Sequence, residues 1–160
     1  MQILFFESGY GTLADTLYAL FTGGYFSRVQ LQFSDGKRFG VDLHSGKLEY
    51  DKHPIVSHQW TIEELPCYES LVREWCDKHV SIKFKRITFL RWIGAINNRY
   101  LGSIAVKEAL EYGGYEDLPS FVNPNSLYEW TIEWNLHHPP PYYDGCGCNS
   151  LNVPETLYWD

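Results

Sequence analysis

Residues 29–43 read Val29-Gln-Leu-Gln-Phe-Ser-Asp-Gly-Lys-Arg-Phe-Gly-Val-Asp-Leu43. Apolar residues occupy every second position on both sides of Asp35-Gly36, a dipeptide typical of tight turns between antiparallel strands. This pattern predicts a β-hairpin with one buried face. Because side chains alternate along a strand, we expect Arg28, Gln30 and Gln32 on the opposite face, where a binding site would open towards solvent.

Around this hairpin the sequence predicts a short strand at residues 3–6 and four helices. The first helix begins at a capping box formed by Thr12 and Asp15 and ends at Gly23. Its apolar residues are Leu13, Leu17, Leu20 and Phe21. Thr61 and Glu64 have the same capping pattern and predict a second helix, whose stripe is Leu71, Val72, Trp75, Cys76 and His79. Two further helices are predicted over residues 103–112 and from Asn123-Pro124 onward.

The length of 160 residues allows one domain with a substantial core and is too short for two of ordinary size. From residue 136 onward the composition changes to three consecutive prolines and spaced glycines, without helical or strand periodicity. We therefore expect a compact domain over residues 1–135 and an extended arm over residues 136–160. The arm ends in Leu157, Tyr158 and Trp159, which are expected to dock on a protein surface.

The formal charge of −7 argues against nucleic-acid binding, which depends on clustered Lys and Arg. The chain contains no apolar run of the ~20 residues needed to cross a bilayer, and the N-terminal residues do not resemble a signal peptide. These features predict synthesis in the cytoplasm and no membrane partner. The aromatic content of 17% exceeds the needs of a small core and indicates a surface for a protein partner or for self-assembly.

Four cysteines, Cys67, Cys76, Cys146 and Cys148, are too sparse for a disulfide scaffold and are expected to be reduced. The histidines at 137 and 138 and the cysteines at 146 and 148 are of metal-ligating types. However, their spacing fits no standard zinc site. We therefore expect neither a metal nor another cofactor.

One segment of the chain resembles a catalytic motif. Residues 100–110 read Tyr100-Leu-Gly-Ser-Ile-Ala-Val-Lys-Glu-Ala-Leu110. They resemble the Phe-Cys-Ser-Glu-x-x-x-x-Ala-Leu segment of circularly permuted papain-like (NlpC-type) cysteine hydrolases, in which the cysteine opens a helix. Gly102 stands at the cysteine position of that family.

A second segment resembles the strand that carries the histidine base in the same family. It reads Tyr25-Phe-Ser-Arg-Val-Gln-Leu-Gln-Phe-Ser-Asp-Gly36 and is similar to Tyr-Ser-His-Val-x-Leu-x-Phe-x-Asp-Gly, with Arg28 at the histidine position. Asp42 and His44 occupy the region where the family has its orienting polar group. A glycine supplies no nucleophile and an arginine cannot accept a proton, so both catalytic groups are missing.

The resemblance implies an α+β fold of the permuted papain-like type, with a small antiparallel sheet packed against helices. It also implies a scaffold without its original chemistry, that is, a pseudoenzyme. We therefore expect a binding or structural module. Small members of the family occur in tailed phages, so docking of a phage protein on a virion through the C-terminal arm is the favoured function.

Two alternatives remain open. The chain could be a divergent hydrolase or amidase with a relocated nucleophile, for which Ser103, Cys76 beside His79, or an arm cysteine is available. Two of these candidates also have a simpler explanation, because Ser103 is suited to cap a helix and Cys76 continues an apolar stripe. The second alternative is an acidic phage inhibitor that binds a basic surface of a host factor.

Overall fold

The computed structural model describes residues 1–43, 45–51, 55–66, 69–82 and 94–138, and only the backbone of residues 94–99. The strands in these residues are β1 Gln2–Glu7, β2 Phe26–Gln32, β3 Arg38–Val41, β4 Leu48–Asp51 and β5 Trp60–Glu64. The helices are α1 Leu13–Thr22, α2 Glu69–His79, α3 Gly94–Tyr112 and α4 Pro124–His137. The strands pair antiparallel in the order β4-β3-β2-β1-β5. The predicted α+β class, with a small antiparallel sheet and packed helices, is confirmed.

The predicted hairpin is formed by β2 and β3. Leu31 lies opposite Phe39, and Gln32 lies opposite Arg38. Gly36 has a φ of 80°, a left-handed conformation that favours glycine over residues with a side chain. The Asp35-Gly36 signal therefore placed the turn correctly.

The core lies on one face of the sheet. α3 packs across β2 and β3, while α1 and α4 pack against β2. Buried side chains from the sheet and the helices meet there, among them Phe5, Val29, Leu31, Phe39, Val72, Trp75, Ala105, Val106, Leu110 and Leu127. Several of these residues have no exposed surface, as expected of the central layer of one domain.

Two predicted helix caps are confirmed. Thr12 and Asp15 form the capping box of α1, and Gly23 ends that helix with a φ of 72°. The side chain of Asn123 accepts hydrogen bonds from the backbone N–H groups at residues 125 and 126, and Pro124 occupies the first turn of α4. α4 continues to His137, so the helix includes the first two residues of the predicted arm.

The predicted helix start at Thr61 is wrong. Trp60–Glu64 is strand β5 at the edge of the sheet, where Thr61 lies opposite Phe5 and Ile62 lies opposite Leu4. Aromatic and β-branched residues favour a strand here, and the short Thr-x-x-Glu pattern does not outweigh them. The helix that follows is α2, and its predicted stripe is confirmed at Val72, Trp75 and Cys76, whereas Leu71 is 43% exposed.

The predicted helix start at Gly102 and Ser103 is also wrong. α3 begins at Gly94, so both residues lie in its middle. A glycine inside a helix costs only about 1 kcal/mol, which burial of the neighbouring Leu101 and Ala105 outweighs. A cysteine at position 102 would therefore lack the helix N-terminus that lowers the pKa of a thiol.

Two glycines of this region are expected to respond oppositely to alanine. A Cβ atom at Gly102 would lie 3.8 Å from Cβ of Val41, an ordinary contact, whereas at Gly113 it would overlap Cγ2 of Val72. We expect Gly102→Ala to raise the free energy of unfolding by about 0.5–1 kcal/mol through helix propensity. Gly113→Ala should lower it by about 1–3 kcal/mol through overpacking. Urea unfolding of both variants measures the difference, and a Gly102→Ala variant as unstable as Gly113→Ala would contradict this packing.

Candidate functional site

Arg28 belongs to a polar network at the start of α1. Asp15 is buried, and its carboxylate accepts hydrogen bonds of 2.8 Å from the backbone N–H and hydroxyl of Thr12 and from the hydroxyl of Ser27. The Nε atom of Arg28 lies 3.2 Å from Oδ1 of the same carboxylate. Burial by itself raises the pKa of Asp15, but the hydrogen bonds from Thr12, the charge of Arg28 and the bond from Ser27 outweigh it, so the net pKa is lowered. The pair is thus a structural ion pair with an ionised carboxylate.

The guanidinium of Arg28 also stacks on an aromatic ring. Its central carbon lies 3.5 Å from the centroid of Phe6, the residue opposite Arg28 on β1, and 6.0 Å from that of Trp60 on β5. By strand alternation this is the sheet face opposite Val29. Gly102, by contrast, lies in α3 on the core side, where the nearest atoms to an added Cβ belong to Val41 and Val29. The two positions that the resemblance pairs as nucleophile and base are therefore on opposite faces of the sheet.

Gln30 and Gln32 lie on the face predicted for them. Both are half-buried. The side-chain oxygen of Gln30 accepts a 3.3 Å hydrogen bond from the buried Arg38, which also pairs with Asp51 at 2.8 Å. Gln30 is thus engaged in holding Arg38 within the sheet.

Asp42 is a turn residue after β3. Its carboxylate accepts a 2.5 Å hydrogen bond from the backbone N–H of Ser45, and its own backbone N–H donates to the carbonyl of Lys47 at 2.9 Å. These contacts match the turn that the neighbouring Ser45-Gly46 favours. His44 lies outside the described residues.

The two candidate nucleophiles within the described residues are both buried. Ser103 has no exposed surface in the middle of α3, and Cys76 has none in α2. Burial raises the pKa of the Cys76 thiol, which disfavours the reactive thiolate. The ring of His79 stacks on Trp75 at 3.9 Å, and its Nδ1 lies 2.7 Å from the Trp75 carbonyl. These contacts hold His79 against Trp75. The burial of Cys76 and the packing of His79 thus give both residues a structural role.

The outer face of α1 carries four large apolar side chains that are exposed. The side chains of Leu13, Leu17, Leu20 and Phe21 are 76%, 50%, 73% and 75% exposed. The only charged residue of the helix, Asp15, is buried in the ion pair with Arg28. We refer to these four exposed side chains as the α1 face.

Sequence reasoning identified the helix but not which side faces the core. Tyr18 and Ala19 are buried, although the more extensive apolar stripe of the helix, Leu13, Leu17, Leu20 and Phe21, is the exposed one. The burial of Asp15 is decided by its contacts with Ser27 and Arg28, which are distant in sequence. The helix has apolar residues on two sides, so the periodicity of its sequence does not indicate which side packs against the core.

A pocket of about 570 Å³ lies where α1 ends. It is lined by Glu7, Thr22, Gly23, Gly24, Tyr25, Phe26, Asn123, Asn125, Ser126, Tyr128 and Glu129. Tyr25, at its rim, is 82% exposed. The side chain of Asn125 links the residues of the pocket wall. Its oxygen accepts a 2.9 Å hydrogen bond from the backbone N–H of Phe26. Its amide nitrogen donates to the Phe26 carbonyl at 3.2 Å and to the Thr22 hydroxyl at 3.1 Å.

Two further properties concern the described residues as a group. Their His, Cys, Asp and Glu side chains form no cluster of three or more that is arranged to hold a metal ion. None of their helices is long and apolar enough to cross a membrane. The arm cysteines and the predicted binding residues Leu157, Tyr158 and Trp159 lie outside the described residues.

Comparisons of this chain with protein-family models, with curated proteins and with solved structures gave no match.

Proposed function

We propose that this protein is a non-catalytic protein-binding module whose main docking surface is the α1 face. The observation that carries the proposal is the exposure of four large apolar side chains on one short helix, at 50–76% each. Contiguous exposed apolar surface of this kind marks interaction sites in soluble proteins. Its burial on a partner would gain roughly 1.5–3 kcal/mol for each side chain that becomes fully buried.

The local structure holds this surface in a fixed position. The capping box with Asp15 anchors the start of α1, and the Asn125 hydrogen bonds anchor the strand that follows the helix. A docking surface on a fixed helix loses little conformational entropy on binding. The exposure of Leu20 and Phe21 is therefore compatible with a preformed site.

The chemistry of the site also favours binding over catalysis. Arg28, at the position of the general base, is engaged with Asp15 and Phe6, and Gly102 faces the core. The buried Cys76 and Ser103 have no route to a substrate without a conformational change. The sequence resemblance favours a pseudoenzyme of the permuted papain-like type. Such a binding module would attach to a larger assembly, such as a phage virion.

A charged residue in the α1 face is expected to abolish partner capture. Leu20→Glu in the full-length chain should lower the yield of co-purified partner at least about tenfold, because a carboxylate would have to be desolvated in the contact. Leu71→Glu on α2, where the replaced leucine is 43% exposed, is the matched control and should capture as the wild type does. Equal capture by wild type, Leu20→Glu and Leu71→Glu would reject the α1 face.

The arm residues that the sequence predicts to dock on a protein, Leu157, Tyr158 and Trp159, can be tested in the same experiment. A variant with serine at positions 157, 158 and 159 keeps the chain length and removes the apolar tip. Loss of capture in this variant, with full capture by Leu20→Glu, would move the docking surface from α1 to the arm. Loss in both variants would assign one partner to both contacts.

A further inference from the structure

We infer that the α1 face binds a second copy of this chain, in a two-fold symmetric dimer with the two α1 helices antiparallel. The inference rests on the proposed function, since it names the partner of the same surface. Leu13, Leu17 and Leu20 follow the 4-3 spacing of a coiled-coil seam, with Phe21 beside them. At 3.6 residues per turn, the four side chains fall within an arc of about 100°. The helix thus presents one ridge that can pack against an identical ridge.

Among the described residues, the absence of charge on the α1 face makes this surface suited to self-association. Each copy carries a formal charge of −7, so two copies repel each other across most possible contacts. The α1 face has no charged side chain, because the only one on the helix is Asp15 and it is buried with Arg28. Two copies can therefore meet there without placing like charges in contact. A symmetric dimer also uses the same patch on both copies, which a single apolar ridge satisfies.

The position of the pocket favours an antiparallel arrangement. Glu7 and Glu129 line the pocket at the C-terminal end of α1. Parallel helices would bring the two acidic pockets to the same end of the dimer, whereas antiparallel helices separate them and oppose the helix dipoles favourably. In the antiparallel dimer the two-fold axis passes near Leu17, which lies between Leu13 and Leu20. Leu17 then contacts Leu17 of the second copy, and Leu13 contacts Leu20.

The size of the contact sets the expected strength. One pair of ten-residue helices covers less than the ~1,600 Å² of a standard interface. We therefore expect a concentration-dependent monomer–dimer equilibrium in the micromolar range. Light scattering on the full-length chain should give a mass that rises from one copy towards two as the protein concentration increases.

Leu17→Glu tests the contact at the two-fold axis of the dimer. It places two carboxylates opposite each other, and we expect the association constant to fall at least about 30-fold, as for other central interface residues. Leu71→Glu, the matched change on α2, should dimerise as the wild type does. A wild-type chain that stays monomeric at several hundred micromolar, or a dimer that is unchanged by Leu17→Glu, would overturn the inference.

Engineered cysteines test the antiparallel geometry. Leu17→Cys should form a disulfide with the same cysteine of the second copy under mild oxidation. Leu13→Cys and Leu20→Cys should each form little alone and link to one another when mixed. The linked peptides are identified by mass spectrometry, which separates them from links through native cysteines. Self-linking of Leu13→Cys and of Leu20→Cys, with no link between them when the two variants are mixed, would overturn the antiparallel arrangement.

The outcomes separate this inference from the proposed function. A monomeric wild type that still captures another protein, with capture lost in Leu20→Glu, would overturn the dimer and leave the binding module standing. A wild type that neither dimerises nor captures a protein through α1 would overturn both.

Discussion

Replacing Asp15 with alanine is expected to lower the free energy of unfolding by about 3 kcal/mol, because it removes one partner of a buried ion pair. The substitution removes the carboxylate that accepts the hydrogen bond of the Ser27 hydroxyl and that forms the ion pair with the Nε atom of Arg28. It also removes the capping box of α1. Arg28 is 26% exposed and can turn partly towards water, so the expected cost lies at the lower end for buried pairs.

Urea unfolding of Asp15→Ala measures this cost, with Glu111→Ala as the control. Glu111 also belongs to an ion pair, with Lys107, but on the exposed surface of α3, where such pairs contribute little. A small loss for Asp15→Ala, equal to that of Glu111→Ala, would contradict the structural role assigned to the network.

The same carboxylate gives the stability a defined pH dependence. The folded chain lowers the pKa of Asp15 below its ordinary value of 3.8, so the folded state binds this proton more weakly than the unfolded state does. The contribution of Asp15 is therefore fully present above pH ~4–5 and is lost as the pH falls through the lower, folded pKa. Asp15→Asn should consequently lose less stability than the wild type between neutral pH and acid.

The second large effect is expected at the wall of the pocket. Asn125→Ala removes three hydrogen bonds to Thr22 and Phe26, and we expect a loss of about 2 kcal/mol because backbone groups of Phe26 lose their partner. Gly24→Ala is expected to cost a similar amount, because the added Cβ would overlap the side-chain amide of Asn125.

A double-mutant cycle links the two substitutions. In the Asn125→Ala background the overlap with Gly24→Ala disappears, so the double variant should be about as stable as Asn125→Ala alone. The coupling free energy should then equal the cost of Gly24→Ala alone, about 2 kcal/mol, so that the double variant loses less stability than the two single losses add up to, within the range for residues in contact. Additive losses in urea unfolding would show that Gly24 and Asn125 do not meet as described.

The parts of the fold that depend on local signals could be predicted from the sequence. The turn at Gly36 and the caps at Thr12 and Asn123 depend on residues within three or four positions of each other. Strand β5 was missed, because its pairing with β1 depends on a partner about sixty residues away in sequence. The start of α3 was missed because an isolated glycine was given the role of a helix boundary.

The candidate site was less predictable, for the same physical reason. Side-chain alternation placed Arg28 and Gln30 on the correct sheet face, but nothing local indicates that Arg28 pairs with Asp15 on α1. That pairing buries the side of α1 that carries Asp15, Tyr18 and Ala19 and leaves Leu17 and Phe21 exposed. Which of two apolar helix faces becomes the surface is decided by tertiary contacts, and it is this choice that creates the proposed docking site.

Site-specific photo-crosslinking detects proteins that dock on the α1 face. A benzoylphenylalanine is introduced at position 21 on α1 and, as the matched control, at position 71 on α2, and the full-length chains are irradiated both purified and in extracts of the native source. Docking through the α1 face predicts protein adducts from position 21 and few or none from position 71. Adducts from position 71 with none from position 21, or no adducts from either position, would contradict it.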